Sequence, residues 1–471
     1  MDRSPDRAAV VAGGCDGLSR AKLLRRAAIA AVPGRGLPAI EPGMPTPAGT
    51  GLTRRSFVSR TAGMALAVYG AGRLGFDAFE SGIAEAAVGA PGDPVLVSVF
   101  MEGGADSMAI LAPTGDARYA QLRPTLKQST SQGVTFGEDE RLRWHPSAAP
   151  FATLHAEGKL SVAPAIGYTD ANQSHFTSRH FWEVGATNPN GRLGWMGRYL
   201  DLHGTPDNPL QGLALGWDLS PALASGSVPV AAISKPSEYD FWAPGVWGPV
   251  EPKMLETIGS LGAGADCPDI GLAQARTAVA ATGRLRTQMS DFESNEGAQA
   301  PPAGIAYPAG SEFAERLQGL AAMLGAGLPL RCVAIDAAGG YDTHSDQQTS
   351  LATNLRATAD GLLAFQRDIE ARGLADRVLV HVWSEFGRRP GENGGGTDHG
   401  AAGASFVIGA RAKGTIIGEF PGLGTLDPDG NLRATSDFRG LYCGLLEQWL
   451  GVDPAPIIPG AAGFAVPALI K

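Results

Sequence analysis

The stretch Val378-Leu-Val-His-Val-Trp-Ser-Glu-Phe-Gly-Arg-Arg389, continuing through Pro390-Gly-Glu-Asn-Gly-Gly-Gly-Thr-Asp-His-Gly400 to Ala404-Ser-Phe-Val-Ile-Gly409, decides the fold. An apolar run stops at Ser384-Glu385, a glycine-dense loop follows, Asp398-His399 closes it, and a second apolar run starts almost at once. Runs such as 378–382 and 406–409 read as strands buried on both faces of a parallel sheet. Ligands of such open sheets sit beyond the carboxyl ends of the strands, and Glu385 falls at one such end. Gly391, Gly394, Gly395 and Gly396 let the backbone take positive φ and approach a ligand closely. Each piece also suits a plainer role: Glu385 as an acid at a helix start, Asp398-His399 as a turn pair, the glycines as a surface loop.

The order of strand, glycines and acid recurs at Pro94-Val-Leu-Val-Ser-Val-Phe100, which breaks at Met101-Glu-Gly-Gly-Ala-Asp106. Glu102 and Asp106 lie near that strand's end, and a carboxylate there is either a metal ligand or a helix N-cap. A second strand, 160–166, leads to a loop and helix start where three hydroxyls, two imidazoles and an arginine crowd positions 174–180. A helix N-terminus offers free N–H groups and a favourable dipole to an anion. Ser174 there is a nucleophile or a plain N-cap. Further on, a helix over 313–324 and a strand over 331–336 precede a loop in which Asp342 and His344 flank one residue. A helix over 351–372 then returns the chain to Val378. Such a unit makes a right-handed parallel crossover and puts Asp342, His344 and Glu385 on one edge.

The strand-end groups are therefore Asp106, Ser174, Asp342, His344, Glu385, Asp398 and His399. Mixed carboxylate and imidazole donors suit zinc, manganese or a mixed pair better than calcium, which prefers oxygen cages. One or two such ions activate a hydroxyl or water and clamp a phosphoryl or sulfuryl group.

The remaining sequence sets the context. A length of 471 residues allows two or three domains, or one large α/β domain with insertions, and the net charge of -9 argues against nucleic acid as a partner. Residues 1–50 read as a disordered or mis-called leader, with Met44 as the expected true start. Over 51–90, Thr53-Arg-Arg-Ser-Phe-Val58, the mildly apolar 61–74 and Ala84-Glu-Ala86 resemble a twin-arginine (Tat) export signal; the plainer reading is an amphipathic helix. No other segment approaches a run of about 18 apolar residues, so no stable transmembrane span is expected. Cys267, Cys332 and Cys443 form neither a disulfide framework nor a zinc ribbon. The region of about 191–306, with Trp195, Trp217, Trp242 and Trp247 scattered among glycines and prolines, reads as a loop-rich insertion walling the site of a domain spanning 94–471.

The phrases Phe100-Met-Glu-Gly-Gly-Ala-Asp106, Gln173-Ser-His-Phe176, Gly340-Tyr-Asp-Thr-His344, Trp383-Ser-Glu-Phe-Gly387 and Thr397-Asp-His-Gly400 resemble the hallmarks of the domain-of-unknown-function 1501 family, exported bacterial proteins. That family is similar to the alkaline phosphatase and sulfatase superfamily. The resemblance implies an alkaline-phosphatase-like α/β fold, a mostly parallel central sheet with helices on both faces. It also implies a metal-binding carboxylate after the first strand (Asp106, or Glu102), a nucleophile at a helix start (Ser174, or Thr177), and metal ligands Asp342, His344 and His399. Where the superfamily has Asp-His, this chain has Glu385-Phe386, which removes one imidazole; Asp398 is the available substitute. Arg179 or Arg388 would pair with an anionic substrate.

The expected function is that of an exported metal-dependent hydrolase of phosphate or sulfate esters, acting on a small anionic ester or an envelope polymer. The alternative is a non-catalytic exported protein of the same fold that binds a glycan or protein partner. No G-x-S-x-G follows a strand, and no dinucleotide fingerprint opens a βαβ unit, which disfavours those two enzyme classes.

Overall fold

The computed structural model describes residues 93–234 and 300–471, the two-residue strand Val68–Tyr69, and isolated positions between 253 and 289. The leader, the rest of the twin-arginine region, Trp242, Trp247 and Cys267 lie outside the described residues.

The fold is organised by β1 (Val95–Phe100), every residue of which is buried. Val95, Val97 and Val99 pack into one apolar core, whereas Leu96 and Phe100 pack into another. Alternate residues of a strand face opposite ways, so this run is apolar throughout because it is covered on both sides. Around it lie β2 (Leu160–Gly167), β3 (Gly212–Leu215), β4 (Val230–Ile233), β5 (Cys332–Asp336), β6 (Val378–Trp383) and β9 (Gly403–Ile408). They form a nine-stranded sheet in the order 68–69, β4, β3, β5, β1, β6, β9, β2, 436–437. The run from β4 to β6 is parallel throughout.

Helices cover both faces. On one side lie α2 (Ala149–Ala156), α5 (Glu312–Gly325) and α6 (Gln347–Ala371), which supply Phe151, Phe313, Leu317, Leu355 and Phe365 to the first core. On the other lie α3 (His175–Val184), α4 (Trp195–His203) and α7 (Phe438–Gly444), which supply Trp182, Trp195, Tyr199 and Tyr442 to the second. The expected class, an α/β fold with a mostly parallel sheet between helices, is the one observed. Among the described residues no helix is long and apolar enough to cross a membrane. Cys332 and Cys443 are free and buried.

Three expectations need correction. The strand expected over 406–409 is not parallel to its neighbour: β9 runs antiparallel to β6, and also to β2. A parallel return needs a crossover of about a dozen residues or more, usually a helix. The segment between β6 and β9 instead folds into the hairpin of β7 (Arg388–Glu392) and β8 (Thr397–His399), so the flanks of the expected glycine loop, Gly391 included, are strands, while Gly394, Gly395 and Gly396 form the turn between them. Finally, the described part of the supposed insertion, up to residue 234, contributes β3 and β4 to the central sheet. Trp195 lies in the core, stacked on Tyr442 at 4.4 Å, while Trp217 is 77% exposed.

The antiparallel course of β9 has a useful consequence. Its amino end lies on the same edge as the carboxyl ends of β1, β5, β6 and β2, so the residues that precede it meet the residues that follow them.

Candidate metal centre

Three imidazoles converge on one carboxylate at that edge. Asp342 comes from the loop after β5, His344 from the same loop, His399 from the end of β8, and His175 from the first turn of α3. His175 Nε2 lies 3.5 Å from Asp342 Oδ2, His399 Nε2 3.5 Å from Oδ1, and His344 Nε2 3.2 Å from Oδ1. His344 Nε2 is also 2.9 Å from His399 Nε2.

In each ring the other nitrogen faces an oxygen. His175 Nδ1 lies 2.7 Å from Glu385 Oε1, His399 Nδ1 2.8 Å from the Gln173 carbonyl, and His344 Nδ1 3.5 Å from Asp398 Oδ1. A carbonyl oxygen only accepts, so His399 Nδ1 carries a proton, and in the neutral ring its Nε2 lone pair points inward. His175 Nε2 is buried and has no hydrogen-bond partner. Ligand histidines characteristically donate their outer N–H to a carboxylate or carbonyl.

The donor atoms of His175, Asp342 and His399 all lie within 4.8 Å of one another. Zinc ligands about 2.0–2.1 Å from the ion at tetrahedral angles stand roughly 3.3–3.4 Å apart, close to the two 3.5 Å separations. The donor set, its spacing and its outer partners thus fit a divalent metal. Among the described residues this is the group of acid, imidazole and thiol donors close enough to hold one.

Charge is heavily perturbed here. Burial alone would lower the pKa of His175, but Asp342 and Glu385 beside it push it up to about 9. Burial would raise Asp342, yet His175, His399 and Arg388 hold it far below the usual carboxylate range. Glu385 is also held low despite burial, by His175 and by backbone N–H groups. His344 is shifted down by burial and by the Arg388 charge.

Several expected site residues take other positions. Asp106 is the N-cap of the short helix α1 (Ser107–Ile110), accepting from the Met108 and Ala109 amides, and it is fully buried against Arg123 at 2.6 and 3.0 Å. Gln347 Nε2 donates to Oδ2, the oxygen that Arg123 Nη1 also holds. With both oxygens occupied it stands outside the imidazole cluster, so of its two readings the cap is realised. Glu102 pairs with Arg179 instead. Glu385 does not face the cluster centre either: its oxygens accept from the Gly103 and Gly104 amides and from Ser384 Oγ as well as from His175. Asp398, 58% exposed, accepts from Asn393 Nδ2, which lowers its pKa, and backs His344.

The cationic candidates are also committed. Arg388 is fully buried, bonded to the carbonyls of Gly103, Gly104, Tyr341 and Thr397 and to Asp342 Oδ1 at 2.6 Å. Arg179 pairs with Glu183 and Glu102 and lies 4.3 Å over the Phe100 ring. Ser174 is the N-cap residue of α3, its side chain making no capping bond, and Thr177 is half-buried in the first turn.

His175 is the residue that sequence reasoning passed over. Its signal is in Gln173-Ser-His-Phe176, where the imidazole directly follows the Ser174 hydroxyl at the helix start. It supplies an imidazole that Glu385-Phe386 does not, and Phe386 walls the site instead, its ring 4.9 Å from that of His175 and 4.8 Å from that of His399.

Beside the cluster opens a cleft of about 670 Å³, lined by residues of 168–171 and 427–437 together with Ala401. None of the four cluster side chains lines it. Gln173 joins the two, holding His399 through its carbonyl and Asn431 of the cleft through its amide.

Residues 272–436 match the family model described as "Protein of unknown function (DUF1501)". This is the family expected from the motifs. The matched span holds Asp342, His344, Glu385, Asp398 and His399, while His175 precedes it. Among solved structures, the chain is similar to Ps i-CgsB in complex with k-i-k-neocarrahexaose, with 9% identity, 78% of this chain and 74% of that chain covered, and a TM-score of 0.30. It is also similar to the phosphonate monoester hydrolase of Agrobacterium radiobacter, with 12% identity, coverages of 76% and 74%, and a TM-score of 0.32. No curated protein matches the chain.

Proposed function

We propose that this protein is an exported metal-dependent hydrolase of phosphate or sulfate esters. The reading is carried by one observation: three inward-facing imidazole nitrogens meet on Asp342 while their outer nitrogens face oxygens. His175, Asp342 and His399 would hold the ion, zinc or manganese, with His344 beside Asp342 and His399. A bound ion of this kind supplies Lewis-acid polarisation and a lowered pKa for an oxygen nucleophile.

The chain's own residues do the rest. Ser174 directly precedes the ligand His175 at the start of α3, so the nucleophile candidate and the metal centre are tied by one peptide bond; Thr177 is the second candidate. The α3 amides that lack intrahelical acceptors attract the anionic group. Phe386 limits water on one wall. Arg388 sets Asp342 rather than touching substrate, and Arg179 is balanced by two carboxylates.

The twin-arginine signature supports export to the periplasm or cell surface, and the net charge of -9 supports a partner other than nucleic acid. The test is a panel of phosphate and sulfate esters offered to zinc- and manganese-loaded protein, with Ser174→Ala and Thr177→Ala alongside. Turnover lost in one of these two variants, with metal content retained, is expected. Absence of turnover from metal-replete protein across the panel would contradict hydrolysis and favour a binding role towards an envelope glycan or protein.

A further inference from the structure

We infer that the Gly103–Gly104 turn is a positioning hub that sets two metal ligands at once, His175 through Glu385 and Asp342 through Arg388. The inference rests on the metal reading above and assigns Glu385 and Arg388 as positioning residues.

Both glycines have positive φ, 114° and 72°, a conformation in which successive amides form an anion-binding concavity. Those amides hold the Glu385 carboxylate at 3.0–3.2 Å, and Glu385 Oε1 in turn lies 2.7 Å from His175 Nδ1. The carbonyls of the same two residues accept from Arg388, Gly104 at 2.7 Å, and Arg388 Nη2 donates to Asp342 Oδ1 at 2.6 Å. One turn thus fixes a carboxylate through its N–H groups and a guanidinium through its C=O groups, and each charged side chain ends on a residue of the metal cluster.

The turn has no room for side chains. A Cβ at Gly103 would lie 2.3 Å from the Asp342 amide nitrogen, and one at Gly104 would lie 2.2 Å from the Phe386 ring that walls His175 and His399. Glu385 and Arg388 are buried, with opposite charges offset through the same dipeptide. A carboxylate saturated with donors in this way orients His175 rather than binding the ion itself.

The test is zinc affinity of the full chain by chelator competition, in wild type, Glu385→Gln, His175→Ala and the double variant, with circular dichroism as a check on folding. Glu385→Gln keeps shape and removes charge, and it should weaken zinc roughly tenfold to a hundredfold, as outer-partner losses do. Added to His175→Ala, whose weakened zinc binding is read at raised free zinc, it should have no further effect, because its ligand is gone. Gly104→Ala disturbs both arms and should cost at least as much as Glu385→Gln; if it does not fold, the double-mutant cycle decides alone. An equal factor with and without His175, or no effect in either background, would overturn the inference. If wild type takes up neither zinc nor manganese, the proposed function fails separately. The hub is then read in metal-free protein from the His175 Nδ1 proton resonance, which Glu385→Gln should move upfield; an unchanged resonance would overturn it.

Discussion

His175 carries the residue-scale account. In the metal-free chain its pKa rises from 6.5 to about 9 between Asp342 and Glu385. A raised folded value means its stabilising contribution is full below about 6.5 and is lost as pH rises through about 9. An ion entering at Nε2 must displace that proton, so zinc affinity should climb with pH across this window and level off above it. Chelator competition as a function of pH checks this, with a shallower climb expected for His175→Asn; equal slopes in the two proteins would count against His175 as a ligand. Asp342, His344 and His399 were legible in the sequence, because D-x-H and D-H pairs at strand ends are short-range patterns. His175 was obscured by neighbouring hydroxyls. The roles of Glu385 and Asp106 depend on partners remote in sequence or hidden in the core: the Gly103 and Gly104 amides, 281 or more positions away from Glu385, and the Arg123 guanidinium. No local pattern announces either pairing.

At the scale of elements, α3 and the β7–β8 hairpin bring the candidate ligands together. Helix α3 is anchored by Trp182, which stacks on Trp383 of β6 at 5.4 Å and on Phe438 of α7 at 4.5 Å. Trp182→Ala removes a fully buried aromatic and should destabilise the protein by about 3–5 kcal/mol, read as a shift in the denaturant midpoint. The hairpin packs on the loop carrying Asp342 and His344 through Gly396, where a Cβ would lie 2.1 Å from the Thr343 carbonyl oxygen. Gly396→Ala should therefore push His399 away from Asp342 and weaken metal binding. Gly391→Ala, in open space on the same hairpin, should leave it unchanged, and equal zinc affinities in the two variants would contradict this coupling. Strands β1, β2, β5 and β6 and helices α5 and α6 could be read from apolar runs and helical spacing. The hairpin could not, because glycine-rich segments fit a loop as well as paired backbone. Nor could β3 and β4, whose four-residue runs sit among glycines and prolines and become strands only when β3 pairs with β5 and β4 with β3.

For the whole molecule, a sheet covered on both faces leaves its edge as the place where chemistry-bearing loops gather, and every member of the proposed centre comes from that edge. The two apolar cores fix where β1, β5, β6 and β9 end, and so fix the relative positions of loops far apart in sequence. Export belongs to this scale too. Replacing Arg54 and Arg55 by lysine should retain the chain in the cytoplasm, seen by cell fractionation, while leaving the folded domain's metal content intact. An unchanged distribution would argue against the twin-arginine route.

The most direct test of the central claim is metal content per chain, by elemental analysis of purified protein loaded with zinc or manganese and freed of excess ion, for wild type, His175→Ala and His399→Ala. About one tightly held equivalent in wild type, lost in both folded variants, is the expected result. No metal in wild type, or metal retained undiminished in both variants, would contradict the assignment of this cluster as a metal centre.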